Sequence, residues 1–525
     1  MNLLTKAIGY ISPERALRRV AAAKTLEILN SGYSGGGASG SKKAFKGWTA
    51  SSQSPEMDIN ANLMTLRSRS RDLYMNAPLA RSALNTMRTN VVGGGLKLKS
   101  RIDFEYLGMT SEEADRWEKA AEREFNFWAE NCLCDSLRLN NFYEIQQIAQ
   151  ISWLASGDVF VVLKQEKPSH FMPYGLRLHL LEADRICNPD FVIGAPLFDY
   201  TELKNGNDCI SGVEINDRGA VVAYHVANRY PYFFYPSSQA LKWTRVEAFG
   251  KLTGRPNILH LMESERPEQR RGVPILAPVI ESLKQLDRYK NSELTAAQIA
   301  SMIALFIKTA SPLGASGFDI GSNVSQMNQR EVINQAEQER QWEAGAIYKL
   351  EEGEEIGSPT PQRSVNNFDS FVIAYTRDIG AALEIPHEVL LKHFTSSYSA
   401  SRGALLEAWK MFRMRRSWLS HKLCQPVYDW WLTEAVATGR IQAPGFFEDP
   451  VRKKAWCGAD WIGEAQGSLN PMQETNASIA KINNGLSTRE RETLEHNGGD
   501  FDKNAEQLKR EAEKMRGFDM NGDGR

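Results

Sequence analysis

The sequence predicts an α+β protein that is mainly helical and divided into several domains. Helical periodicity runs from about Asp58 to Thr89 and again through 111–155, and the alternating pattern typical of strands follows in 158–262. Beyond Pro274 come two long helical patterns separated by a polar insert. A chain of 525 residues exceeds one compact core, so roughly two to four domains are expected.

The first half of the chain divides into an arm and an α+β region. Residues 1–50 are predicted to form a flexible N-terminal arm, because SGYSGGGASGSKK has the composition of a flexible linker. In 51–273, a helical pattern is interrupted at Pro78 and ends in a glycine turn at 93–95. Strands are predicted in DVFVVLK, LRLHLLEADRI, SGVEI, AVVAYHV and PNILHLM, with a hairpin turn at 216–219.

The second half is predicted to be dominated by long helices. Residues 274–308 and 362–391 each carry an apolar helical stripe, and 309–361 between them is polar, with a short strand at 347–350 and too few apolar residues for a core. A hydrophilic loop at 392–402 precedes the longest helix, 403–440, in which Pro426 is expected to cause a kink. Residues 441–525 are mixed and then helical.

Composition restricts the function classes. Sixty-three Lys and Arg residues balance 64 Asp and Glu residues, so the basic excess usual for a broad nucleic-acid-binding surface is missing and any DNA contact must be local or weak. The six cysteines form no C-x-x-C pair, so free thiols in a reducing cytoplasm are expected. No apolar run approaches the ~20 residues that span a bilayer, and no secretion signal is evident. We therefore expect a soluble intracellular protein without membrane contact.

The sequence offers no convincing catalytic set. The eight histidines are scattered, and neither H-E-x-x-H nor the P-loop occurs. We therefore predict no catalytic residues, no metal ligands and no cofactor.

The helix from about Arg402 is rich in basic residues, with Glu407 as its one acid before Lys422. These charges spread around the helix, which leaves two interpretations: they are paired with acids elsewhere in a packed helix, or some of them face DNA. A buried stripe important for folding and assembly is predicted, in which Arg416 requires a buried partner. Its members are Leu405, Trp409, Phe412, Arg416 and Leu419.

Four stretches occur in the order expected for one known family. They are LRSRSRDLYMNAPLARSALNTMRTNVVGGGLKL; RPEQRRGVPILAPVIESLKQLDRYKNSELTAAQIAS; SYSASRGALLEAWKMFRMRRSWLSHKLCQPVYDWWLTEAVATGRI; and LNPMQET followed by NNGLSTRE. Together they resemble the lambda-type phage portal proteins over about residues 60–500, with Asn470 where that family usually has Asp.

The resemblance implies a portal fold whose subunits assemble into a ring, with a dodecamer expected. It implies a wing at 51–273, stem helices at 274–308 and 362–391, a clip at 309–361 completed by neighbouring subunits, a tunnel loop at 392–402, a long wing and tunnel helix at 403–440, and a crown and tail at 441–525. The side chains expected to face the DNA tunnel are Lys392, His393, Ser396, Ser397, Tyr398 and Arg402.

The function implied is that of a structural head–tail connector at the capsid vertex, through which double-stranded DNA is packaged and ejected without sequence specificity. The implied partners are further copies of the chain, the terminase large subunit, the major capsid and scaffold proteins and the head–tail connector proteins. The implied location is the virion, and the host cytoplasm during assembly. A near-neutral channel suits this role, because each neutralised phosphate adds affinity that would hold the duplex.

Two alternatives remain from the sequence. The chain could be a non-portal connector or scaffold protein of a phage-like particle. It could also be a DNA-processing enzyme, which would need clustered acids or histidines for metal-bound chemistry.

Overall fold

The computed structural model describes residues 42–189, 200–231, 241–302, 306–309, 354–357, 368–394, 397–467 and 470–519, with a few isolated positions before residue 42. Residues 1–54 and 55–525 are separate compact units. In the first unit a 3-10 turn spans Lys43–Phe45. Most of the predicted N-terminal arm lies outside the described residues, as does the predicted strand at 347–350.

The second unit begins with five helices, four of which confirm the helical prediction for 58–89 and 111–155. The five helices are α1 (Pro55–Asn76), α2 (Pro78–Val91), α3 (Phe104–Leu107), α4 (Ser111–Ala129) and α5 (Phe142–Ser156). Pro78 separates α1 from α2 as predicted, because a proline without an N–H is tolerated at the first helical position.

The continuous helix predicted over 111–155 is wrong, since α4 and α5 are separated by a 3-10 turn at Cys132–Cys134. Asn141 begins α5 with a capping box: its side chain accepts a hydrogen bond from the Glu144 N–H at 2.9 Å, and Glu144 accepts from the Asn141 N–H at 2.9 Å. The N-x-x-E spacing was therefore the signal of a new helix.

Nine antiparallel strands are described between residues 97 and 262; the five within DVFVVLK, LRLHLLEADRI, SGVEI, AVVAYHV and PNILHLM were predicted, and the other four were not. The nine strands are β1 (Lys97–Ser100), β2 (Asp158–Gln165), β3 (Leu176–Glu182), β4 (Tyr200–Glu202), β5 (Asp208–Ile210), β6 (Val213–Ile215), β7 (Val221–Ala227), β8 (Trp243–Glu247) and β9 (Ile258–Met262). One sheet has the order β3-β2-β9, and another runs β4 to β8 in sequence. The turn at 216–219 is confirmed by the Gly219 N–H, which donates to the Asn216 carbonyl at 2.9 Å.

The long helices of the second half differ from the prediction in their ends. A 3-10 turn (Ala277–Val279) precedes α6 (Ile280–Met302), and β10 (Phe306–Thr309) follows at the place where the first long helix was predicted to continue. β10 pairs antiparallel with β11 (Glu354–Gly357). The rest of the predicted 309–361 insert lies outside the described residues.

The predicted 362–391 helix consists of two helices in the described residues, α7 (Phe368–Ala382) and α8 (His387–Leu391). Glu384 between them has a left-handed φ of 58°, and the Ile385 carbonyl lies 2.5 Å from where a Cβ on Gly380 would be. This elbow requires glycine at position 380, and Pro386 starts the second helix.

The longest helix starts earlier than predicted and changes register in its middle. α9 (Tyr398–Leu419) passes through a π-helical turn (Ser420–Cys424) into α10 (Gln425–Ala437). The π turn lies directly before the predicted kink residue Pro426, which occupies the first turn of α10. The chain ends in α11 (Pro450–Trp456), β12 (Ala459–Ile462), α12 (Pro471–Asn483), α13 (Arg489–Asn497) and α14 (Phe501–Asp519). β12 returns to pair with β1.

Two apolar cores stabilise the second unit. The larger core is centred on Phe125, which packs edge-on against Trp431, Tyr428 and Phe142 at centroid distances of 5.2, 5.6 and 5.8 Å. A smaller core lies where the two larger sheets meet and includes Phe160 and Val213. The larger core joins residues from α4 and α5 to residues from α10, so segments far apart in sequence form one folded body.

Candidate assembly and channel site

A buried ionic junction lies where α1, β2 and the segment before α6 meet. Asp158 begins β2 and its side chain has no solvent exposure. Arg271 donates from Nε to Asp158 Oδ2 at 2.7 Å, and Arg67 of α1 donates from Nη2 to Asp158 Oδ1 at 2.8 Å. Burial raises the pKa of Asp158, but Arg271 and Arg67 outweigh that effect and hold the pKa well below its usual value. The carboxylate therefore stays ionised inside the protein.

Arg271 also connects this junction to the neighbouring loops. Its guanidinium donates to the carbonyls of Ala183 at 2.8 Å, Ile186 at 2.9 Å and Ser211 at 2.5 Å. These carbonyls lie in the chain that leads from β3 to the five-stranded sheet and within that sheet's β5–β6 turn. Arginine suits the position, because its planar fork offers five donors in fixed directions.

Gly272, directly after Arg271, completes the junction by close backbone packing. Its N–H donates to Asp158 Oδ2 at 3.1 Å. A Cβ on Gly272 would lie 1.9 Å from the Gly157 carbonyl oxygen, and a Cβ on Gly157 would lie 2.3 Å from the Gly272 carbonyl oxygen. The R-R-G-V-P stretch therefore fixes the start of the long helix α6 against β2. The sequence identified this stretch only as a signature and missed its ion pairs.

The predicted buried stripe on α9 has a different arginine at its centre. Trp409, Phe412 and Leu419 are buried, whereas Leu405 and Arg416 are only partly buried. The buried arginine is Arg415, which lies 3.0 Å from Glu263 and 3.5 Å from Glu384. Arg415 thereby links α9 to the end of β9 and to the elbow between α7 and α8.

Arg416 finds its partner in backbone carbonyls and not in an acid. Its Nε donates to the Val91 carbonyl at 3.0 Å, and its Nη2 donates to the carbonyls of Asn90 at 2.8 Å and Glu464 at 2.9 Å. Asn90 and Val91 end α2, where carbonyls without helical partners carry partial negative charge. A cation at this end stabilises α2 and joins it to α9. Whether the stripe contributes to assembly stays a prediction.

The predicted tunnel loop is shorter than 392–402, because α9 already begins at Tyr398. Lys392 ends α8 with a left-handed φ of 55°, and Lys392, His393 and Phe394 are exposed. Ser397 is exposed and caps α9 by accepting a hydrogen bond from the Ala400 N–H at 3.4 Å. Ser396 lies outside the described residues. Exposed Phe394 is a loop residue that the sequence reasoning missed.

Tyr398 and Arg402 therefore belong to a helix and not to the loop. Tyr398 is still exposed, by 52%, beside Ser397. Arg402 is only partly exposed and lines a cleft between α9 and the C-terminal helices, which also contains Glu474, Glu492 and Glu495. Arg402 therefore lies in a cleft that contains three glutamates, whereas Lys392 lies on the exposed surface of the loop.

The described part of the chain has neither a candidate metal site nor a helix that could span a membrane. No three His, Cys, Asp or Glu side chains there come close enough together to hold a metal ion. Within the same residues, no helix combines the length and apolar character needed to cross a membrane. All six cysteines are unpaired, and Cys132 is the exposed one.

The sequence of this chain is similar to known portal proteins over most of its length. Residues 41–416 match the family described as phage portal protein, lambda family. Portal protein B of Escherichia phage lambda is 26% identical over 485 residues, which cover 90% of this chain and 87% of that protein. The portal protein of Escherichia phage N15 is 25% identical over 505 residues, covering 93% of this chain and 91% of that protein.

Among solved structures, the neck of a native gene transfer agent particle computed with C12 symmetry has a TM-score of 0.40 and 14% identity, covering 75% of this chain and 93% of that one. The sequence comparisons define a phage portal subunit, a structural component of the virion at the capsid vertex that serves in DNA packaging. The chain belongs to the lambda family of phage portal proteins.

Proposed function

We propose that this portal subunit forms a closed ring of twelve copies through which double-stranded DNA passes, and that the exposed loop between α8 and α9 touches the DNA. The observation that carries this proposal is the charge of that loop. From Val389 to Leu406 the sequence contains Lys392 and Arg402 but no acid, in a chain whose net charge is −1. A local cationic segment can meet a polyanion that the protein as a whole would not attract.

The surroundings of three cations further along α9 support the same assignment. Arg415 is paired with two glutamates, Arg416 binds backbone carbonyls, and Lys410 lies 2.7 Å from Glu407. Lys392 and His393 are exposed beside Phe394 and Ser397. The loop thus offers one cation, one imidazole, hydroxyls and an aromatic ring per subunit. Such contacts can centre a duplex without holding it, since few phosphates are neutralised.

The larger divisions of the chain are part of this proposal. Residues 51–273 form the wing, 274–308 and 362–391 the two stem segments, 309–361 the clip, and 441–525 the crown and tail. The clip docks the terminase during packaging and the connector proteins afterwards, and the protein performs no catalysis of its own. The ring assembles in the host cytoplasm and meets the capsid and scaffold proteins there.

The loop proposal is tested by replacing its two basic residues. A variant with Lys392→Gly and His393→Ser should still form rings in electron micrographs but yield about three- to tenfold fewer DNA-filled particles, because phosphate contacts are lost. The matched control is Lys167→Ser with His170→Ser, the same two residue types exposed on the β2–β3 hairpin. Equal numbers of filled particles from both variants would refute the loop as the DNA contact, and a purified protein without rings would refute the ring.

A further inference from the structure

The C-terminal helix α14 presents an apolar stripe that its own chain does not cover. Phe501, Ala505, Leu508, Ala512 and Met515 follow one another at alternating spacings of four and three residues, which is the heptad pattern of helices that pack side by side. Residues 502–516 are all exposed, and Leu508 and Met515 are exposed by 64% and 61%. Large exposed apolar side chains arranged in one line mark a contact surface.

The ion pairs between α14 and the rest of its chain lie on another side of the helix. Lys99 reaches Asp502 at 3.4 Å, and Lys119 reaches Glu506 at 2.5 Å. At about 100° per residue, these two acids lie roughly 100–140° around the helix from Phe501. They hold the first two turns of α14 and leave the apolar stripe open. A helix with so little burial needs a partner, because isolated helices of this length are marginal in water.

The charges of α14 indicate what that partner is. The helix contains five acidic and five basic residues, so it is neutral and attracts neither DNA nor an anionic membrane. Lys509 and Arg516 flank the stripe on one side, and Glu511 flanks it on the other. Two such helices placed in parallel bring Glu511 of one next to Arg516 of the next, the usual pairing across a parallel heptad interface. The two flanks of the stripe are therefore complementary to each other.

We propose that α14 packs in parallel against α14 of the adjacent copies of this chain through the stripe 501–515. The proposal rests on the ring of the proposed function, in which neighbouring helices that run along the ring axis are parallel to one another. About two heptads associate weakly on their own, but the ring supplies a high effective concentration. The helix then forms an additional intersubunit contact near the C-terminal end of the fold.

Disulfide trapping in the intact protein tests this contact. Cys132→Ser first removes the exposed cysteine, since the other five are buried. Leu508→Cys then places a thiol on the stripe, and Arg510→Cys places one on the opposite face of the same helix. Mild oxidation of assembled rings should link subunits at least about tenfold faster with Leu508→Cys, because a disulfide requires Cα atoms within about 7 Å.

A charge exchange tests the parallel register. In the Leu508→Cys protein, Glu511→Arg and Arg516→Glu should each slow linking several-fold, and the double exchange should restore the original rate. Rings that form normally but link no faster through position 508 than through position 510 would overturn this inference alone. A failure to form rings, seen by electron microscopy, would overturn the proposed function and this inference with it.

Discussion

Two groups of basic residues in this portal subunit have opposite surroundings. Arg67 and Arg271 at the ionic junction are almost fully buried, with side-chain exposures of 6% and 1%, and both share the carboxylate of Asp158. Lys392 and His393 in the loop before α9 are exposed. The comparison teaches that arginine in a family signature can be a structural residue, while the residues proposed to meet DNA lie in a loop of ordinary composition.

The difference follows from the cost of removing charge from water. A buried guanidinium must replace its hydration with several hydrogen bonds, and Arg271 does so with Asp158 and three carbonyls. Such a side chain cannot also bind a passing phosphate. A cation that contacts DNA transiently has to remain hydrated and mobile, as an exposed loop allows.

The largest effect that would test this contrast is expected at Arg271. Arg271→Ala leaves Asp158 buried with one cation and leaves the three carbonyls without their donor, so a loss of about 3–5 kcal/mol in the free energy of unfolding is expected. Thermal unfolding of the purified protein measures it, together with the yield of soluble protein. Arg69→Ala in α1 is the control, because Arg69 is exposed, and it should leave the unfolding temperature nearly unchanged.

A smaller effect is expected at the glycine beside it. Gly272→Ala places a methyl group 1.9 Å from the Gly157 carbonyl oxygen, so the backbones must separate at a cost of about 1–3 kcal/mol. Gly403→Ala should change the free energy of unfolding in the opposite direction, because Gly403 lies within α9 with no atom near its added Cβ. Alanine there should stabilise the protein by about 0.5–1 kcal/mol. Similar unfolding temperatures for the two variants would show that Gly157 and Gly272 are not in close contact.

Periodicity predicted most helices and five of the twelve described strands, because the chain alternates or repeats its apolar residues according to what each of these elements buries. Periodicity did not locate the helix ends that local polar residues determine, as at the Asn141 capping box, which begins α5 after the end of α4. It also could not show that Arg271, Arg67 and Asp158 meet, because their partners are up to 113 residues apart. Long-range ion pairs leave no pattern in a single sequence.

The stripe on α9 shows a different limit. Counting only Leu405, Trp409, Phe412 and Leu419 placed Arg416 at its centre, yet Ala408 and Met411 are also buried. Including these two rotates the buried face of the helix toward Arg415. The centre of the buried face can therefore be located from the sequence only when small residues such as Ala408 and flexible ones such as Met411 are counted as apolar positions.

The two neighbouring arginines of α9 give the finest test of the contrast between buried and exposed cations. Arg415→Ala removes the contacts to Glu263 and Glu384, and because both glutamates keep partial access to water, with exposures of 34% and 57%, the expected loss is only about 1–2 kcal/mol. Arg413→Ala, two residues earlier on the exposed face, should change stability by less than about 0.5 kcal/mol.

Burial raises the pKa of Glu263 despite Arg415, so losing that cation raises the pKa further and leaves the carboxyl easier to protonate in mild acid. Thermal unfolding of both variants at neutral and mildly acidic pH separates the outcomes, and equal losses for Arg413 and Arg415 would mean that burial does not distinguish them.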